Sequence, residues 1–137
     1  MQNTKVLLVG VGGLVVLDVV GGVAAIVADV NTPAEAWSSR ALLAAPWPMI
    51  VGQVVLAVGA HRLAGAPGRV AAGLLSAACL ASAVSGFFDG GLGNENVPAT
   101  LVPLQWVLVG STAVVGVLAA RVAVQGQAGR TTLTGPV

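Results

Sequence analysis

Residues 6–28 read VLLVGVGGLVVLDVVGGVAAIVA, an apolar run broken by one acid, Asp18. A bilayer core is ~30 Å thick, so a spanning helix needs about 20 apolar residues at 1.5 Å each. This run meets that length. It does not alternate with period two, so a membrane barrel is a poor fit. Backbone groups in lipid must bond within their own segment, which makes the run a helix.

Three further apolar stretches follow, at about 46–62, 69–88 and 101–121. The 137 residues are 56% hydrophobic and 8% charged, with a mean hydropathy of +0.94. A soluble domain carries about 25% charged residues. The composition therefore predicts an all-α polytopic membrane protein, a four-transmembrane-helix bundle in one domain over 1–124 with a flexible cytoplasmic tail over 125–137. A net charge of +1 leaves no nucleic-acid footprint. Membrane lipid is the expected partner, with a homo-oligomer or a larger membrane complex as the protein partner.

The basic residues set an orientation. Lys5, Arg62, Arg69, Arg121 and Arg130 fall at one set of span ends and only Arg40 at the other. Basic residues collect on the cytoplasmic side, which predicts cytoplasmic N- and C-termini. The excess of Ala, Gly, Val and Arg suits a GC-rich bacterial genome, hence a bacterial plasma membrane. A signal peptide is the competing reading of the first run, but the run exceeds 7–15 residues and contains an acid. Lys5 to Gly13 also imitates a strand entering a dinucleotide-binding loop. The third glycine position is Val15, and no amphipathic crossover helix follows.

The outer side gathers most of the candidate residues: Asp29, Glu35, Trp37, Trp47, Asp89, Glu95, Gln105 and Trp106. Thr32-Pro33-Ala34-Glu35 matches a capping box, which predicts a short interfacial helix over about 33–45, broken by Pro46 and Pro48. Residues 89–96 offer oxygen ligands without EF-hand spacing, and a solvated turn is the plainer reading.

Small residues let helices approach in lipid. Gly73, Ala77, Ala81 and Ser85 form one such stripe in the third span, with Thr112, Gly116 and Ala120 in the fourth and Gly21, Gly22 and Ala25 in the first. These faces are expected to meet.

Asp18 lies thirteen positions beyond Lys5, so ~20 Å along the helix and near mid-membrane. Intramembrane acids are functional by default, and an isolated carboxylate in hydrocarbon neutralises itself at lower cost than it stays charged. The expected site is a neutral Asp18 bonded to Ser82 or Gln53, with Ser111 at similar depth. It would serve as a proton or cation site, or as polar glue between helices. One cysteine, Cys79, and one histidine, His61, cannot build a zinc or haem site in one chain. No cofactor, metal or catalytic set is expected.

An outer segment with Trp37, a short basic inner loop from Arg62 to Arg69 and a short outer turn with Asp89 and Gly90 resemble the outline of DoxX-like small bacterial membrane proteins. That resemblance implies an accessory role beside redox or thiol-handling enzymes. This chain departs from it in offering no cysteine pair. The reading is a non-enzymatic accessory or structural membrane component. A proton- or cation-coupled transporter or channel subunit using Asp18 is the rival, and a membrane enzyme ranks last.

Overall fold

The computed structural model describes residues 2–89 and 92–128. The described residues form four α-helices and no strand: α1 Gln2–Val27, α2 Trp47–Arg62, α3 Ala66–Phe88 and α4 Val102–Ala128, the last entered through a 3₁₀ turn Ala99–Leu101. α1, α3 and the segment Ala99–Gln125 are long and apolar enough to cross a membrane. Each helix packs on the next, and α4 closes back on α1.

α1 buries Leu7, Val11, Leu14, Asp18, Gly21, Gly22 and Ala25. The steps of three and four residues define one helical stripe. The remaining faces carry exposed valines at positions 6, 9, 16, 19, 20, 23 and 27. Such a surface is far more apolar than a soluble monomer tolerates, and in lipid a valine-rich run has no alternative to helical hydrogen bonding.

The two halves of the bundle are built differently. At the end bearing Lys5, Arg62, Arg69 and Arg121, here the basic end, the helices pack directly. Leu7, Val11 and Leu14 of α1 meet Ala57 and Ala60 of α2, Ala72, Leu75 and Cys79 of α3, and Val115 and Ala119 of α4. His61 Nδ1 lies 3.1 Å from Thr4 Oγ1, and Asn3 Nδ2 donates to Gln125 Oε1. These contacts tie α2 and α4 to the start of α1.

At the opposite, acidic end a smaller cluster joins Ala25, Leu43 and Val97. Leu43 belongs to the connection between α1 and α2, which therefore enters the bundle.

Two expectations are corrected here, and one is met in part. Residues 33–45 form consecutive turns, not an interfacial helix. Their early amides close local turns, Glu35 and Ala36 on Thr32 O and Ser38 on Glu35 O, and the Leu42 and Ala45 amides then bond to the buried side chains of Asn31 and Asp18. The second apolar stretch becomes a 16-residue helix, about 24 Å long, and is not among the three long enough to span.

The second correction concerns α3. Its buried face holds Ala71, Ala72, Leu75, Ser76, Cys79 and Ala83, while Ala77, Ala81 and Ser85 are exposed and Gly73 has open space where a side chain would be. In this alanine-rich helix small residues recur at spacing four on more than one face. Gly116 does pack closely, with Leu80 and Cys79 where a Cβ would stand.

The tail expected over 125–137 starts inside α4, which continues to Ala128. Residues 129–137 lie outside the described residues.

Candidate functional site

α1 ends on a left-handed turn. Asp29 has φ 54°, and the amides of Val30 and Asn31 both donate to Ala25 O, at 2.9 and 3.2 Å. This satisfies an end carbonyl of the helix and reverses the chain. Asp29 is thus a helix stop. Asp tolerates the left-handed region better than most residues because its short side chain bonds locally.

The chain next forms a turn closed by Glu35. The Glu35 carboxylate accepts from Thr32 Oγ1 at 2.9 Å and from the Thr32 amide at 3.2 Å. This is half of the expected capping box, in a turn that no helix continues. The Thr32 hydroxyl, then the Thr32 amide, hold the Glu35 carboxyl below the ordinary carboxylate range. Arg40 adds an exposed ion pair, Nη1 to Oε1 3.6 Å.

From there the segment descends along α1. The Trp37 ring lies across Gly22, where a Cβ would come within 2.3 Å of it. Its Nε1–H donates to the Asp18 carbonyl at 3.3 Å. A Cβ on Gly21 would stand 1.7 Å from Leu43 O. The two glycines serve close approach, as expected, but of a loop backbone and an indole instead of another helix.

Buried non-helical backbone needs polar partners within the protein. Three buried side chains supply them. Asn31 donates from Nδ2 to Arg40 O at 3.2 Å and accepts the Leu42 amide on Oδ1 at 3.2 Å. Gln105 of α4 donates from Nε2 to Leu42 O at 3.4 Å, and its Oε1 accepts the Gly93 amide at 3.4 Å. Asp18 Oδ1 accepts the Ala45 amide at 2.8 Å. Asp18, Asn31 and Gln105 are all buried.

Asp18 thus marks the floor of the stretch of this connection that enters the helix bundle, here the re-entrant segment. It lies nine positions before the end of α1, ~14 Å down its axis. α2 starts two residues after the bond to Asp18, with Pro46 as N-cap and Pro48 in its first turn, where proline costs no helical hydrogen bond.

The expected partners of Asp18 lie elsewhere. Ser82 Oγ donates to Ala78 O at 2.8 Å and faces Met49 Sδ at 3.7 Å, though it shares a cleft with Asp18. Gln53 is buried on α2, and its Oε1 has no hydrogen-bond partner among the described residues. Ser111 lines an apolar groove between α1 and α4. The bond to Asp18 goes to a main-chain amide, which no residue letter announces. Asp18 Oδ2, like Gln53 Oε1, is buried without a partner among the described residues.

A cleft of about 420 Å³ opens between the re-entrant segment, α3 and α4. Asp18, Ser82, Ser85, Asp89 and Thr112 supply its polar groups, and Met49, Leu108 and Val109 part of its apolar wall. A neighbouring cleft of about 380 Å³ includes Arg40 and Gln105 and shares Asp89 and Gly86 with it.

Of the other candidates, Asp89 caps α3, its amide donating to Ser85 O at 2.8 Å. Trp106 packs edge-on against Phe87, with centroids 5.6 Å apart. Trp47 is exposed, and its amide donates to Trp37 O at 3.0 Å. Glu95 is exposed, and Asn94 Oδ1 in the same loop accepts the Asn96 amide at 2.9 Å. No group of three His, Cys, Asp or Glu side chains able to hold a metal occurs among the described residues.

Sequence reading missed Asn31, although an Asn just before Thr-Pro, ahead of a long non-periodic stretch, is a recognisable turn signal. Comparison with protein-family models, with curated proteins and with solved structures finds no match to this chain.

Proposed function

We propose that this chain is a non-enzymatic accessory or structural component of a bacterial plasma membrane, with both termini cytoplasmic and the acidic end outward. The distribution of Lys5, Arg62, Arg69 and Arg121 against Arg40 supports that orientation. α2 completes the crossing together with the re-entrant segment above it, giving a four-helix membrane domain. The role expected from the DoxX-like outline is of the same kind.

One observation carries the reading. The Asp18 carboxyl, the costliest group in the membrane interior, holds the Ala45 amide. Asn31 and Gln105 hold the same segment. The buried polar groups are thus spent on fixing a shaped outer face, which suits a protein that presents a surface to a lipid, a second copy or a larger complex.

A proton- or cation-coupled transporter or channel subunit is the second reading, favoured by the unpartnered Asp18 Oδ2. Flux in proteoliposomes separates the two. With a proton gradient or a membrane potential imposed, an accessory protein gives no flux above empty liposomes. Flux that Asp18→Asn abolishes would overturn this reading in favour of transport. Cysteine cross-linking from the exposed positions of Trp47 and Trp106 in native membranes should yield discrete higher-mass species.

A further inference from the structure

We propose that the cleft beneath the re-entrant segment is a binding site for a small organic ammonium ion, with Asp18 as its buried counter-charge. This goes beyond the accessory role and does not depend on it.

The carboxyl oxygens of Asp18 have different fates. Oδ1 is committed to the Ala45 amide at 2.8 Å. Oδ2 is buried and has no hydrogen-bond partner among the described residues. Asp18 is 3% exposed, yet it lines the cleft. A buried polar oxygen left unpaired is costly, and the cost disappears when a ligand supplies a donor. A charged N–H donor serves best, because its charge-assisted bond holds the otherwise neutral Asp18 carboxyl in its ionised form.

The rest of the cleft selects for the same chemistry. Its second ionisable group is also an acid, Asp89. Arg40 lines the adjoining cleft and is paired with Glu35. No basic side chain lines the cleft itself among the described residues. A bare divalent cation would need about six oxygen ligands, and no metal-holding group of three is present among the described residues. The apolar wall at Met49, Leu108 and Val109 fits a hydrocarbon portion. A volume of about 420 Å³ suits a small molecule, since ligand pockets run from about 300 to 1,000 Å³. The ammonium could be a free amine or the headgroup of an aminophospholipid, and Oδ2 recognises the same group in both.

The test uses the full chain in phosphatidylglycerol nanodiscs, with phenethylammonium as the probe and 2-phenylethanol as its neutral counterpart. Trp37 reports on the site, because its Nε1 sits on the Asp18 carbonyl. Replacing Trp47 and Trp106 with Phe isolates its fluorescence. Saturable binding of the amine, at least about tenfold tighter than of the alcohol, is expected for a desolvated charge pair. Asp18→Asn keeps an acceptor for Ala45 and should weaken amine binding about tenfold, the cost of losing a charged hydrogen-bond partner. Ala81→Leu fills the cleft from an exposed position and should abolish binding in a bundle of unchanged helicity, which keeps the test decisive if Asp18→Asn misfolds.

Repeating the titration in nanodiscs that contain phosphatidylethanolamine identifies the source. Competition assigns the site to the lipid headgroup, and unchanged affinity assigns it to a free amine. Equal binding of amine and alcohol, no saturable binding by the folded wild type, or full-affinity binding by Ala81→Leu would overturn the proposal.

Discussion

The Ala45 amide donates to Asp18 Oδ1 at 2.8 Å, joining residues 27 positions apart. One of them is a mid-helix acid and the other lies in a loop. The bond brings the connection between α1 and α2 down to the level of Asp18, and α2 begins two residues later. A loop that stayed at the surface would leave Gly21 and Gly22 facing empty space. Instead a Leu43 carbonyl and the Trp37 ring fill it.

Removing the acceptor should destabilise the bundle. Asp18→Ala leaves a buried amide unsatisfied, at a cost of about 1–3 kcal/mol. Asp18→Asn retains an oxygen at the same position and should cost markedly less. Unfolding of both variants in mixed micelles, followed by helical circular dichroism, checks the order.

The glycines of α1 should divide into two classes. Gly21→Ala drives a Cβ into the Leu43 carbonyl, and such overpacking costs about 1–3 kcal/mol. Gly12 and Gly13 have nothing within 4 Å of a built Cβ. Alanine at either should be neutral, or stabilising by up to about 1 kcal/mol through helix propensity. The same unfolding assay distinguishes them.

Asp29 holds φ 54° to end α1. Asp29→Gly should stabilise the turn by roughly 1 kcal/mol, because glycine carries no Cβ penalty there. Asp29→Val should destabilise it, and a lower midpoint for Asp29→Gly than for wild type would refute the assignment.

The Thr32–Glu35 turn gives a pH signature. The folded Glu35 carboxyl is held below its ordinary value, first by the Thr32 hydroxyl and then by the Thr32 amide. Its contribution to the turn is fully present above the unfolded value and is lost as pH falls through the lowered folded value. Carbon-13 titration of the Glu35 carboxyl should give a depressed midpoint, and Thr32→Val should raise it.

Much of this fold was legible in the sequence, because length and apolar content suffice to find a membrane helix. The stripe Leu14, Asp18, Gly21, Gly22 and Ala25 is legible from helical spacing, and it is the buried face of α1. The partners were not legible, for two reasons. Asp18 bonds to a main-chain amide, and an amide has no residue identity to search for. Small residues also mark close approach without naming what approaches, so Gly21 and Gly22 read equally well for a helix or a loop. The segment 33–45 carries a genuine helix-start signal at Thr32, and the turn forms. Tertiary burial of Ala36 and Leu43 then outweighs the local preference for continuing it.

Residue-resolved hydrogen exchange at Ala45, in the folded protein in lipid nanodiscs, probes the re-entrant segment at its deepest bond. A segment pinned inside the bundle predicts a protected Ala45 amide in the wild type and in Asp18→Asn, with protection falling sharply in Asp18→Ala. An Ala45 amide that exchanges in the folded wild type as fast as an unstructured peptide would contradict a pinned segment and return residues 33–45 to the membrane surface.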